Sequence, residues 1–452
     1  MMKLARTFRR LCAAFLVVAA GWTELAAASG PWWRQLGDTT LDALIEEALE
    51  RNHEVQMAEQ RILQARATYR AQRGSFAPQL TLGAGWTRAR SSGRLTHALL
   101  PSTLESYYDG RVNATWTIDL FGQIRKAAEA KWALYRAAGA ERDLVQLTLS
   151  KEVTTAYLGL CAMRLMTRVV SDNITSQREI VRLTQVRYEA GLESQLDVAQ
   201  AHSTLYNTEA GITAYRSDEA SYRYQLAILL GTTPGELSPH LVGADTLPNI
   251  SQLSASYSAD SIMIDWSELR RRPDLRQGEW LIDEQAALLG VARKAWLPTL
   301  LIDGAYGVEA HRPGQMWRHD ATAWQVAPVL QWTLFNGGAR CADIRRARAQ
   351  LQEQVDSYNE LLLTAVQQVE SATTAYLEGL QQVEHLRAAV REAESSLQLS
   401  LELYKMGLTA FINVMQAQQS VLQYQTALVQ AELSTLQQAV ALWVATSEGI
   451  QE

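Results

Sequence analysis

Beyond its N-terminus this 452-residue chain has no run of 18 or more apolar residues, so no mature transmembrane helix is expected. Any membrane span would have to be built from strands. Catalytic signatures are missing too. The seven histidines show no paired metal-ligand spacing, and there is neither a phosphate loop nor a nucleophile motif. No cofactor and no enzymatic activity is therefore expected. His311 and His319 are read as exposed loop residues, and the run Arg270-Arg271-Arg272 as a solvated helix end or loop. Positive charge is in deficit, with a formal net charge of −6, which disfavours nucleic acid as a partner. Cysteine is scarce: there are three, at positions 12, 161 and 341. Proline is absent between Gly338 and Gly407, which leaves room for a very long helix.

The first 28 residues read as a secretory signal. Lys3, Arg6, Arg9 and Arg10 form a basic start, Leu11 to Gly21 an apolar run, and Ala26-Ala27-Ala28 a small-residue cleavage site. Losing four basic residues and Glu24 takes the charge from −6 to about −9. The mature chain is expected to be exported. Cys12 lies within the signal and no cysteine sits at the cleavage end, so no N-terminal lipid anchor is expected.

The second half repeats the first. Tyr188-Glu189-Ala190-Gly191-Leu192 returns as Tyr404-Lys405-Met406-Gly407-Leu408, and Asp197-Val198-Ala199-Gln200-Ala201 as Asn413-Val414-Met415-Gln416-Ala417. Thr154-Thr155-Ala156-Tyr157 matches Thr373-Thr374-Ala375-Tyr376, and Leu80 after Pro78 matches Leu300 after Pro298. A duplicated unit of this size is one fold built twice. The expected division is a signal at 1–28, a first repeat at 29–230, a linker or equatorial segment at 231–265 and a second repeat at 266–452.

Each repeat holds a very long helical segment. From Leu351 through Val355, Tyr358, Leu362, Val366 and Val369 to Tyr404, apolar or small residues recur about every 3.5 positions, the coiled-coil period. The segment between Gly122 and Gly191 has nearly the same length, with Gly139 and Gly159 as its only breakers; Gly379 interrupts the other. Each would reach roughly 100 Å. Gly191 and Gly407 should end them in the left-handed conformation, with a second helix of about 40 residues returning in each half. Cys341 then opens one long helix while Cys161 lies some 40 residues along the other, roughly 55 Å of helical rise out of step. Two unpaired thiols are predicted.

Before each long helix the period changes to two. Val112, Ala114, Trp116, Ile118 and Leu120 alternate with polar residues, and Trp324, Val326, Pro328, Leu330, Trp332 and Leu334 show the same pattern with Gln325, Gln331 and Thr333 between. Leu80, Leu82, Ala84 and Trp86 make a third segment, and Leu300, Ile302, Gly304 and Tyr306 a fourth. Polar loops join them in pairs, Arg88 to Ser106 and Glu309 to Asp320. Aromatic, alternating segments of about 9–11 residues are the signature of transmembrane β-barrel strands, although a half-buried soluble sheet alternates in the same way. Four strands cannot close a barrel, and open edges are not tolerated in lipid. Three copies would pool twelve strands and twelve hairpin helices, enough to enclose a pore.

These residues carry a resemblance. Pro31-Trp32-Trp33 with Leu41 to Leu49, the junctions Ile118-Asp119-Leu120-Phe121-Gly122 and Leu334-Phe335-Asn336-Gly337-Gly338, the opening Arg272-Pro273-Asp274-Leu275-Arg276-Gln277, and Arg187-Tyr188 through Gly191 to Asp197 and Gln200-Ala201 are matched nearly end to end from Trp32. The chain resembles the TolC-like outer membrane factors, in the branch serving resistance-nodulation-division efflux systems. The resemblance implies an α+β membrane protein: a homotrimer with a twelve-stranded outer membrane β-barrel above a long periplasmic α-helical barrel. It also implies a periplasmic adaptor and an inner-membrane pump as partners, and passive conduction of substrates to the exterior.

By the same resemblance Tyr188 and Tyr404 lie where tyrosines help hold neighbouring hairpins closed, with coiled-coil packing the plainer reading. Gly191, Leu192, Gly407 and Leu408 lie at adaptor-contacting tips, with turn chemistry the plainer reading of the glycines. The constriction departs from the family pattern. Where many relatives carry aspartates in the second tip helix, this chain has Asn413 and Gln416; Asp197 of the first repeat remains. Carboxylate rings make a pore cation-selective, so modest cation selectivity is expected, set mainly by Asp197. The competing reading of that residue is a helix-surface carboxylate paired with a neighbour.

Two other classes compete for the whole chain. A periplasmic coiled-coil adaptor or bridging protein would carry one hairpin within a split β-rich domain, whereas here each of two hairpins has its own strands. A secreted enzyme with helical arms would need a compact domain of convergent polar residues. The only non-helical stretch large enough, about 231–265, is Pro/Ser-rich and reads as a linker.

Overall fold

The computed structural model describes residues 31–90, 104–237, 241, 245–250 and 269–446. The signal segment at 1–28, with Cys12, lies outside the described residues, as do much of the expected linker and part of the first polar loop. The described elements are α1 (Thr39–Arg51), α2 (His53–Gly74), β1 (Gln79–Arg90), β2 (Leu104–Ile118), α3 (Gln123–Glu189), α4 (Gln195–Leu229), the short α5 (Pro234–Leu237), α6 (Pro273–Lys294), β3 (Thr299–Ala310), β4 (Thr322–Gln331), α7 (Ala339–Lys405) and α8 (Phe411–Thr446). Contacts divide the chain into two units, residues 1–57, 143–273 and 363–452, and residues 58–142 and 274–362.

The long helices α3 and α7 have 67 residues each. The expected breakers do not break them; Gly139, Gly159 and Gly379 all stay helical. The reason at Gly379 is a close approach. A Cβ there would lie 2.6 Å from the Thr435 Oγ1 of α8, so glycine is what lets the return helix pack against the long one.

Both long helices end as the glycines predict. Gly191 and Gly407 adopt φ values of 73° and 74°. Gly191 N–H donates to the Tyr188 carbonyl and Leu192 N–H to that of Arg187, both at 2.9 Å. Gly407 donates to Tyr404 at 3.0 Å and Leu408 to Leu403 at 2.9 Å. This paired pattern is the Schellman motif, which satisfies the last carbonyls of a helix. Ion pairs then tie each long helix to its return helix. Arg164 meets Glu219 at 3.0 Å and Arg178 meets Glu209 at 2.7 Å in the first hairpin, and Arg387 meets Glu432 at 2.7 Å in the second.

The first unit's core gathers α1, the middle of α3 and the ends of α4 and α8. Leu41, Leu44, Ile45, Tyr157, Leu158, Leu160, Leu226, Leu230, Val440 and Trp443 are all buried. Asp38 caps α1 through the amides of Thr40 and Leu41, and its other oxygen accepts the Tyr157 hydroxyl at 2.6 Å. Asn52, between α1 and α2, donates to the Leu229 carbonyl at 2.8 Å. Arg272 corrects the expectation of a solvated basic run: it is buried, donating to the Ala445 carbonyl and to Gln368 Oε1, each at 3.0 Å. Its guanidinium supplies a donor for a last-turn carbonyl of α8, which has no partner within the helix itself. Leu237, Leu241 and Ile250, within the segment expected as a linker, are buried as well.

The second unit holds an antiparallel sheet in the order β1-β2-β3-β4. Its strands run 12, 15, 12 and 10 residues, so three exceed the expected length. β1 and β2 continue into the stretch expected as a loop, because the ladder persists through Arg88↔Ser106 to Arg90↔Leu104. β2 stops before Leu120 because Asp119 turns back to cap α3, accepting from the amides of Ile124 at 3.1 Å and Arg125 at 2.8 Å. β4 ends at Gln331, before Trp332 and Leu334.

Candidate pore and gating site

The strand register sorts side chains onto two faces. On one, Leu82 pairs with Val112, Val112 with Tyr306 and Tyr306 with Trp324, an apolar row across all four strands. The next row on that face is Leu80, Ala114, Gly304 and Val326. Trp86 stacks on Tyr108, ring centroids 6.3 Å apart. These apolar side chains stand open to the surroundings: Leu82 is 83% exposed and Trp324 75%. The opposite face carries Thr81, Asn113, Ala305 and Gln325 in one row. There Arg111 forms ion pairs with Glu309 at 2.6 Å and Asp109 at 3.5 Å. Water would penalise so broad an apolar face, whereas a lipid-facing barrel wall requires one, backed by a polar lumen. The outer strands β1 and β4 are each paired on one side only.

The hairpin tips meet in the first unit. Ile180 of α3, Ala201 of α4, Tyr404 of α7 and Phe411 and Val414 of α8 share one buried cluster. Arg187 joins the tips across the repeats. Its guanidinium carbon lies 4.7 Å from the Tyr404 ring centroid. Its Nε pairs with Glu193 at 3.1 Å, both side chains largely buried, and its Nη1 donates to the Lys405 carbonyl at 3.4 Å. The Tyr404 hydroxyl donates to Thr184 Oγ1 at 3.5 Å. Burial holds the Tyr404 hydroxyl's pKa above its ordinary value; the Thr184 bond acts in the opposite sense, and the neighbouring Glu193 carboxylate adds to the rise.

Sequence treated the two tip tyrosines alike, but they differ. Tyr404 is fully buried and Tyr188 is 40% exposed. The repeats diverge around them: Arg187 and Glu193 of the first tip are matched by Leu403 and Thr409 of the second. No periodicity marks the Arg187–Glu193 pair, because it spans a glycine turn rather than a helical repeat. Above the tips a buried polar ladder joins α3 to α8, with Gln418 donating to Asn173 at 3.0 Å and Asn173 to Gln425 at 2.8 Å. Sequence reading missed this ladder as well.

Asp197 forms a capping box with Ser194. Its carboxylate accepts from the Ser194 amide at 3.1 Å and from the hydroxyl at 2.5 Å, while the Asp197 amide donates back to Ser194 Oγ at 3.2 Å. The motif Ser194-x-x-Asp197 was legible in sequence. Asn413 and Gln416 are exposed on α8, Asn413 donating to Thr409 Oγ1 at 2.7 Å. Gly191, Leu192, Gly407 and Leu408 are all exposed at the turns. Cys161 is buried and Cys341 exposed, and neither is in a disulfide. Among the described residues no helix is long and apolar enough to cross a membrane.

The sequence model of the outer membrane efflux protein family matches residues 44–232 and 267–447. The chain belongs to the outer membrane efflux protein family. The two matched blocks fall on the two repeats. Nodulation protein T of Rhizobium leguminosarum bv. trifolii is 25% identical over 88% of this chain and 84% of its own length. A probable efflux pump outer membrane protein of Pseudomonas putida, TtgC, is 26% identical over 95% of this chain and 87% of its own. Among solved structures the outer-membrane channel OprN superposes with a TM-score of 0.86 at 28% identity, covering 93% of each chain. This efflux protein is thus an outer membrane channel component of a tripartite efflux pump, with a large helical part in the periplasm.

Proposed function

We propose that three copies of this chain form the duct, β4 of each pairing with β1 of the next to close a twelve-stranded barrel. The observation that carries this reading is the four-stranded sheet, apolar across one face and open at both edges. Lipid does not tolerate unpaired strand edges, and mutual pairing among copies removes them. The helical hairpins of the three chains then continue the duct into the periplasm. There it receives substrates from a periplasmic adaptor and a resistance-nodulation-division pump, and conducts them passively.

The gate in this reading is the set of hairpin tips. Tyr404, clamped under Arg187, holds the second tip to the first, and the exposed Tyr188 meets a neighbouring hairpin. Gly191, Leu192, Gly407 and Leu408 present the turns to the adaptor. Asp197, Asn413 and Gln416 line the constriction, with Asp197 the only carboxylate of the three. The Asp197 carboxylate, held in its capping box at the tip, supports a modest cation preference.

The test is fractionation of cells producing the tagged protein, followed by mass determination of the detergent-extracted species and conductance in planar bilayers. A trimer that conducts is the expected result. A monomer from the outer membrane fraction, or a trimer that stays without conductance even in the tip-loosened Arg187→Ala variant, would overturn the reading.

A further inference from the structure

A second feature of the sheet-bearing unit is a cleft of about 460 Å³ beside the strand-to-helix junction, lined by Tyr69, Arg73, Phe76, Arg125, Glu129 and Trp132. One of its lining residues, Phe76, is tied to the apolar sheet face. Trp116, whose neighbours on that face are Ala114 and Ile118, donates its indole N–H to the Phe76 carbonyl at 2.9 Å. A separate hollow takes the opposite side, where Thr115 and Thr117 of the polar face line it.

The cleft's charge is one-sided. Its carboxylate, Glu129, is engaged by Lys126. Arg73 lies 5.9 Å from the Tyr69 ring centroid, and Arg125 is exposed. At the cleft's helical end Trp132 packs edge-on against Trp280, centroids 5.2 Å apart, and Arg136 lies 5.2 Å from the Trp280 ring. The second repeat sets a similar group at its own junction. There the Trp332 indole donates to the Trp296 carbonyl at 3.0 Å, and Arg340 lies 5.9 Å from the Trp296 ring.

We propose that the cleft lined by Tyr69, Arg73, Phe76, Arg125 and Trp132 binds the headgroup of an anionic glycerophospholipid of the periplasmic leaflet. Guanidinium groups match phosphate oxygens in charge and geometry. Aromatic rings that continue the apolar sheet face suit the glycerol and the first methylenes of the acyl chains, as in interfacial aromatic girdles. The occupant is a lipid rather than free phosphate because Phe76 of the cleft is hydrogen-bonded to Trp116 of the apolar sheet face, which acyl chains would cover. The inference rests on that face being the outer wall of the barrel.

The test is native mass spectrometry of the detergent-extracted protein, titrated separately with phosphatidylglycerol, phosphatidylethanolamine and inorganic phosphate. Selective retention of phosphatidylglycerol is expected, falling roughly tenfold in Arg73→Gln/Arg125→Gln and largely restored in Arg73→Lys/Arg125→Lys. Equal retention of both lipids, phosphate binding alone, or an unchanged double variant would overturn the proposal. The same spectra report the oligomer. A trimer that ignores phosphatidylglycerol refutes the lipid site alone, and a monomer refutes the pooled barrel.

Discussion

The guanidinium carbon of Arg187 stands 4.7 Å from the ring centroid of Tyr404, so the first hairpin's tip clasps a residue of the second. The same arginine pairs with Glu193 at 3.1 Å, within reach of the turn at Gly191. One side chain therefore connects both tips of a chain.

Arg187→Ala is expected to loosen that clasp by about 1–3 kcal/mol, from the lost cation–π contact and the Glu193 carboxylate left partly buried without its cation. Single-channel recordings should show a higher open probability than wild type. A variant that stays as closed as wild type would remove Arg187 from the gate.

Alkaline pH acts on the same cluster. The pKa of Tyr404 is raised above its ordinary 10.0, mainly by burial. Its contribution to the closed tip is complete below that ordinary value and is lost as pH rises through the raised one, because ionisation then favours the open, hydrated state. Conductance of the wild type should therefore climb at a pH above about 10. Tyr404→Phe, with no hydroxyl to ionise, should climb less; identical profiles would place the titrating group elsewhere.

Asp197→Asn removes charge while keeping a side-chain oxygen able to accept from the Ser194 amide. Reversal potentials in a salt gradient should move toward equal permeability for cations and anions. Ser194→Ala should cost the helix about 1 kcal/mol yet leave selectivity in place. Equal selectivity in wild type and Asp197→Asn would confine Asp197 to the capping box.

Gly379→Ala should lower the melting temperature of the extracted protein, although alanine favours an isolated helix by about 1 kcal/mol. The added Cβ would meet Thr435 Oγ1 at 2.6 Å, and that hydroxyl is fixed by its bond to the Ala431 carbonyl at 2.7 Å. Overpacking of this kind costs about 1–3 kcal/mol. A rise in melting temperature would mean that the two helices part without penalty.

Thiol labelling separates the cysteines. Cys341 is exposed; Cys161 is buried, and burial pushes its thiol up to about 12. A maleimide at neutral pH should modify Cys341 within minutes and Cys161 only after denaturation. Rapid labelling of both would show that the core around Tyr157 opens readily.

Much of the fold was legible because it depends on local rules. Gly191 and Gly407 announce helix ends through a backbone conformation that other residues avoid, and the alternation through Leu82, Val112, Tyr306 and Trp324 fixes each strand's faces. The internal glycines misled for the same reason. Gly379 reads as a breaker by propensity, yet its purpose is set by Thr435 on another helix. The site was less legible. Tyr188 and Tyr404 occupy matching positions in nearly matching words, and what separates them is contact with Arg187. Arg272 looked like surface charge because its partners, Ala445 and Gln368, are far away in sequence. Pairings of this kind follow no period and emerge only when the helices are packed.

The one-sidedness of the tip fastening has a mechanical consequence. Arg187 binds the two tips of one chain, and the second repeat offers Leu403 and Thr409 where an equivalent fastener would stand. In a ring of three chains the aperture would then behave as three paired leaves rather than six separate ones. With the clasp intact, dilation would begin along the joints between subunits, one leaf at a time; losing the clasp, as in Arg187→Ala, would add a joint within each chain and so more ways to open.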